Sequence, residues 1–291
     1  RFYEGQMRHL DRVPDDAIPC LRPYSGTEIF AEAFGCPVLR NDRDMPCARP
    51  LLSDLADVDS LQTPDVFDTA LANLFLAADE LRRRCGPDAL VKLPDIQSPM
   101  GVAAMVLDKG AFLLGLMDDP QRVRRLAGRT RDLLTSFLDE WFRRYGTEFI
   151  AHHPDYFMRG GITLSDDEIG SVSNELYEQY FMPDLAALSR RYGGLGFHCC
   201  AQSRHHWSSF LRLPGLKVLN LSTRWVPGPD AVARDAYRFF AGKVVQFHRG
   251  REFTGAPWTW PEQLPDQARA VLEVTASSPG EAATIAGRMS E

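Results

Sequence analysis

The run Leu195-Gly196-Phe197-His198-Cys199-Cys200 ends a strand-like segment with an imidazole and two thiols. His198 and Cys200 stand two residues apart, and side chains two apart on a strand share a face. An imidazole and a thiolate aimed into one space form half of a nitrogen-plus-sulfur zinc site. Two ligands do not define a site, and the same residues also read as a core histidine beside small buried hydrophobes. Strand alternation predicts that Cys199 turns away into packing while His198 and Cys200 point together.

Further titratable groups gather after other strand-like runs: His152, His153 and Asp155 after one, His248, Arg249 and Arg251 after another. The two arginines suit a grip on carboxylates and His248 suits proton delivery, although Arg-x-Arg also reads as an ordinary charged loop. Asp166 and Asp167 suit the orientation of groups around a metal, or equally a solvated acidic turn ahead of a helix. The pair His205-His206 is followed by Trp207, Phe210 and Leu211, which argues for helix packing rather than ligation.

These residues must be held by regular elements, and the helix punctuation is clear. Thr63-Pro64-Asp65 predicts a helix start, with Leu71, Leu74, Phe75, Ala78 and Leu81 at helical spacing and Gly86 as the stop. Asp119-Pro120 opens a longer helix whose stripe runs from Val123 to Phe142 and which Gly146 ends. Residues 173–192 read as an amphipathic helix, and Gly228-Pro229-Asp230 and Ser278-Pro279-Gly280-Glu281 open two more. Strands are expected at 89–93, 148–151, 195–199, 216–221, 244–248 and 271–275, with others concealed in 42–62 or 162–165. Strands alternating with helices indicate βαβ units and a parallel sheet. Polar residues collected at the carboxyl ends of strands, with no glycine-rich phosphate loop, favour an α/β barrel over an open doubly wound sheet. No linker or repeat divides the chain, so residues 1–291 read as one domain.

A net charge of −6 without a basic block argues against a nucleic-acid or anionic-membrane partner. No apolar stretch approaches the roughly 18 residues of a membrane span. The six cysteines show no disulfide-framework spacing, no signal peptide is visible, and a cytoplasmic setting is expected. The chain starts at Arg1, which suggests a trimmed terminus.

Ala33-Phe34-Gly35 stands with Arg49-Pro50-Leu51-Leu52 and Val58-Asp59-Ser60-Leu61, then Asp95-Ile96-Gln97-Ser98-Pro99-Met100 with Asp118-Asp119-Pro120-Gln121-Arg122-Val123. Leu164-Ser165-Asp166-Asp167, Ser173, Met182-Pro183 and Phe197-His198-Cys199-Cys200 follow. In their order and spacing these blocks resemble one superfamily, that of uroporphyrinogen decarboxylase and the zinc-dependent methylcobamide:thiol (coenzyme M) methyltransferases. The resemblance implies a (β/α)8 TIM barrel with its active cavity at the carboxyl ends of the strands. In the methyltransferase branch it implies zinc held by His-x-Cys and a later cysteine, with the metal activating an acceptor thiol. His198 and Cys200 match the first two positions. No Cys follows Cys200, so Glu273, or alternatively His248, is expected to stand in as the third ligand.

Three functions are thereby expected in order of preference. The first is methyl transfer from a methyl-corrinoid, free or carried on a corrinoid protein, to a small-molecule thiol activated by zinc. The second is cofactor-free decarboxylation of a uroporphyrinogen-like polycarboxylate. The arginine-rich N-terminal run of the decarboxylases is absent, and Arg40 and Arg43 do not reproduce it. The third is a non-catalytic binder that has lost a metal ligand. A monomer or homodimer is expected.

Overall fold

The computed structural model describes residues 1–41, 45–148, 150–222, 227–248 and 253–290, and leaves the side chains of Ala151 and His248 undescribed. Its longest helix, Pro120–Tyr145, shows how local sequence sets an element. Asp119 accepts the Arg122 N–H, proline fills the first turn, and Gly146 ends the helix at φ 86°. The stripe from Val123 to Phe142 is buried, as its spacing predicts.

The helix expected from Thr63 begins later. Asp65 accepts the Phe67 N–H and closes a 3-10 turn over Val66–Asp68, so the helix proper is Ala72–Cys85. A short aspartate satisfies nearby amides in a turn more readily than in a helix interior. The 173–192 helix is continuous but contains a π-turn at Tyr177–Phe181.

Two small ladders precede the main sheet. β1 (Val38–Leu39) pairs antiparallel with β2 (Cys47–Ala48). β3 (Ile150–His152) pairs antiparallel with β4 (Tyr156–Met158) around a turn at residues 153–155. The 148–151 run is therefore a hairpin arm, not a strand of the parallel sheet, because its partner lies only a few residues downstream.

The main sheet is parallel, in the order β5 (Ile162–Ser165), β6 (Leu195–Cys199), β7 (Leu216–Leu221), β8 (Val245–His248) and β9 (Arg269–Leu272). The last strand lies two residues ahead of the expected 271–275. Parallel bridges continue the sheet beyond β5, from Ser165 to Gln97 and from Val91 to Leu21; the expected strand 89–93 contributes only the bridge at Val91. Between β6 and β7 the register shifts by one residue. Leu195 pairs with Leu216 but Gly196 pairs with Val218, so His198 faces Asn220.

Alternation divides the sheet into two faces. Ile162, Leu164, Leu195, Phe197, Cys199, Leu219 and Leu221 join the main core with the helices. The other face receives the hairpin, where Tyr156 and Met158 pack with Val218 and Phe247. The Tyr156 hydroxyl bonds to Thr163 and lies where a Cβ on residue 196 would stand, which requires glycine there.

Candidate active site at the end of strand β6

His198 and Cys200 occupy the hairpin face at the carboxyl end of β6. His198 Nε2 lies 3.1 Å from Cys200 Sγ, while His198 Nδ1 bonds to Asn220 Oδ1 on β7. Asn220 Nδ2 in turn donates to the Phe247 carbonyl at 2.7 Å. His198 is 9% exposed and Cys200 half-buried, so one partner of the pair is shielded and the other reaches solvent. Cys199 is fully buried on the opposite face, and burial pushes its thiol well above its ordinary range.

The adjacent carboxylates behave differently. Asp167 accepts the Cys200 backbone N–H and so holds the end of β6 in place. Asp166 points to the helix side, where it accepts the Ser98 hydroxyl at the N-terminus of helix Pro99–Val106 and the Glu168 N–H. It is completely buried, and burial pushes its carboxyl up to about 7 against the pull of those hydrogen bonds. Its side chain is thus bonded away from the His198–Cys200 pair.

A second imidazole approaches from the hairpin turn. The rings of His153 and His198 meet edge to face with centroids 5.2 Å apart. His153 Nε2 lies 3.3 Å from Asp95, which also accepts the Ser165 hydroxyl at 2.6 Å. Burial lowers the His153 pKa despite the neighbouring Asp95 carboxylate. His152 lies deeper, fully buried with no partner for either ring nitrogen; burial, then Lys217 and Lys92, push its pKa down to about 3.

The expected third ligand does not join the pair. Glu273 follows β9, three strand spacings of roughly 4.8 Å from β6. It lines a cavity of about 1020 Å³ together with Arg22, Lys92, His152, Tyr156 and Phe247. Among the described residues no three His, Cys, Asp or Glu side chains form a metal-holding group. His248 ends β8 opposite Leu272. Arg249 and Arg251 lie outside the described residues. His205 and His206 are spent on structure: His205 bonds to the Val172 carbonyl, and His206 to the Ile169 carbonyl and Asn174.

The residues that sequence reasoning did not assign are Asn220, Asp95 and Ser165. Asn220 carried one signal, as the single amide in the otherwise apolar end of the run Val218-Leu219-Asn220-Leu221.

The profile of the uroporphyrinogen decarboxylase (URO-D) family matches residues 2–246. No curated protein matches the chain. Among solved structures, a methyltransferase from Methanosarcina mazei is similar in fold at 11% identity and a TM-score of 0.68, covering 99% of this chain and 84% of that one. Among the described residues no helix is long and apolar enough to cross a membrane.

Proposed function

Because the chain belongs to the uroporphyrinogen decarboxylase family, which supports a methyltransferase-like or decarboxylase-like enzyme, we propose that it is a zinc-assisted methyltransferase acting on a small thiol. The observation that carries this reading is the His198 Nε2–Cys200 Sγ approach of 3.1 Å at a strand end. Tetrahedral zinc, with bonds of about 2.0–2.1 Å to nitrogen and about 2.3 Å to sulfur, sets two such donors about 3.6 Å apart, so the pair would open by roughly half an ångström to take the metal. The fit is that of a half-site, since the described residues supply no third protein donor to this pair. We propose also that the parallel order β5 to β9, continued through Gln97 and Val91, closes into a (β/α)8 barrel of one domain.

When bound, the metal would lower the pKa of the acceptor thiol and keep it as thiolate at neutral pH. The protein's own residues do the positioning. Asp167 fixes the Cys200 backbone and Asn220 fixes the His198 ring. In the transfer itself the thiolate sulfur forms a bond to the methyl carbon. The methyl group would be supplied by a methyl-corrinoid, free or carried on a corrinoid protein, which would keep the electron pair of the broken carbon–cobalt bond. The thiol proton passes to solvent.

Two measurements test the reading. Equilibrium dialysis against zinc should give about one metal per chain, lost in Cys200→Ser and His198→Ala. Incubation with methylcobalamin and a panel of small thiols should bleach the methyl-corrinoid absorbance only in the zinc-loaded wild type. Carbon dioxide release from uroporphyrinogen with no thiol methylation would instead establish the decarboxylase.

A further inference from the structure

The proton inventory around His198 leaves little freedom. The Phe247 carbonyl can only accept, so the Asn220 group 2.7 Å from it must be the NH2 end of the amide. Asn220 therefore turns its oxygen to His198 Nδ1, and an amide oxygen can only accept. Nδ1 must carry the hydrogen. In the neutral ring the lone pair then sits on Nε2, the atom beside Cys200 Sγ. Asn220 is 8% exposed and His198 9%, so water competes little for either bond.

We propose that Asn220 is a positioning residue that locks His198 in the Nδ1–H tautomer and so presents the Nε2 lone pair toward Cys200. The opposite tautomer would place a hydrogen where an electron-pair donor is needed. It would also require the Asn220 amide to flip, setting its oxygen against the Phe247 carbonyl oxygen and stranding both. The strand register makes the contact, since His198 and Asn220 are directly paired between β6 and β7. This inference deepens the zinc reading and rests on it only for the metal; the tautomer is a property of the metal-free protein.

The test is nitrogen-15 NMR of the histidine rings in metal-free protein, with the His198 signals identified by their loss in His198→Gln. Wild type should show a protonated Nδ1 and an unprotonated Nε2. Asn220→Leu should lose that preference, and Asn220→Asp, whose carboxylate still accepts from Nδ1 but sets its second oxygen against the Phe247 carbonyl, should restore it in part. In competition against a chromophoric chelator, Asn220→Leu should weaken zinc binding about 10- to 100-fold, and Asn220→Asp should recover part of the loss. A wild-type spectrum with the hydrogen on Nε2 overturns the inference without any variant, as does an Asn220→Leu protein that keeps both tautomer and affinity. Should wild type take up no zinc while its Nδ1–H tautomer depends on Asn220, the lock stands and the zinc reading falls.

Discussion

The two faces of the parallel sheet are built from adjacent residues yet follow opposite rules. On the helix side Phe197 and Cys199 belong to the main core, and burial holds the thiol of Cys199 protonated although it donates to the Ala201 carbonyl. On the hairpin side His198 and Asn220 are nearly as buried but satisfy one another, and Cys200 reaches solvent. One residue of displacement along β6 thus separates an inert thiol from one with an imidazole at its sulfur. Burial alone does not mark the functional group. What marks it is a buried imidazole whose one nitrogen is fixed by Asn220 while the other meets a thiol that reaches solvent.

Deepest truncation on the helix side should produce the largest loss. Phe197→Ala removes a ring in contact with Phe210, centroids 5.3 Å apart, and should cost about 3–5 kcal/mol in urea unfolding. If instead it abolished zinc uptake in the folded protein at little cost in stability, the division between the faces would be wrong.

The pH limbs of stability should separate the faces next. Asp166 is raised from 3.8 to about 7, so the stability tied to its protonated form is complete below pH 4 and is lost as pH rises toward 7. Asp166→Asn should remove that loss, gaining on the order of 4 kcal/mol over wild type between pH 4 and pH 8. His152 shifts the other way, from 6.5 to about 3, so its contribution is present above pH 6.5 and is lost as pH falls toward 3. His152→Leu should flatten this acid limb by up to about 1.4 kcal/mol per pH unit. Denaturant unfolding of both variants at pH 4, 6 and 8 checks the signs; a gain for Asp166→Asn at pH 4 equal to that at pH 8 would refute its buried titration.

A smaller effect should appear in thiol chemistry. In a background with exposed Cys47 and Cys85 changed to serine, a maleimide should modify Cys200 in the native state and Cys199 only after unfolding. Equal rates for the two would erase the contrast between the faces.

Much of this arrangement is legible in the chain because it is local. The Asp119 cap, the stripe to Phe142 and Gly146 locate one helix to the residue, and alternation alone places Cys199 opposite His198. What was not legible depends on pairing between distant segments. The 148–151 run looks like any short apolar strand until Tyr156–Met158 is seen beside it, and 162–165, a candidate concealed strand in the sequence, is the sheet member. Asn220 is an unremarked amide until the register sets it against His198. Glu273 has a ligand's chemistry, but that it forms no three-ligand group with His198 and Cys200 shows only in three dimensions.

The register shift between Leu195 and Gly196 makes the site sensitive to counting as well as to chemistry. Strand faces have a period of two, so an unshifted pairing would set His198 against Leu219, which points into the helix-side core. Lys217 is the residue absorbed by the shift, and its ammonium donates to the carbonyls of Arg159 and Gly160 beneath the sheet. One residue inserted beside that lysine, with the bulge kept, would touch neither member of the candidate pair and remove no donor or acceptor from it. It would nonetheless offer His198 a hydrocarbon neighbour in place of an amide, as a change of parity rather than of composition.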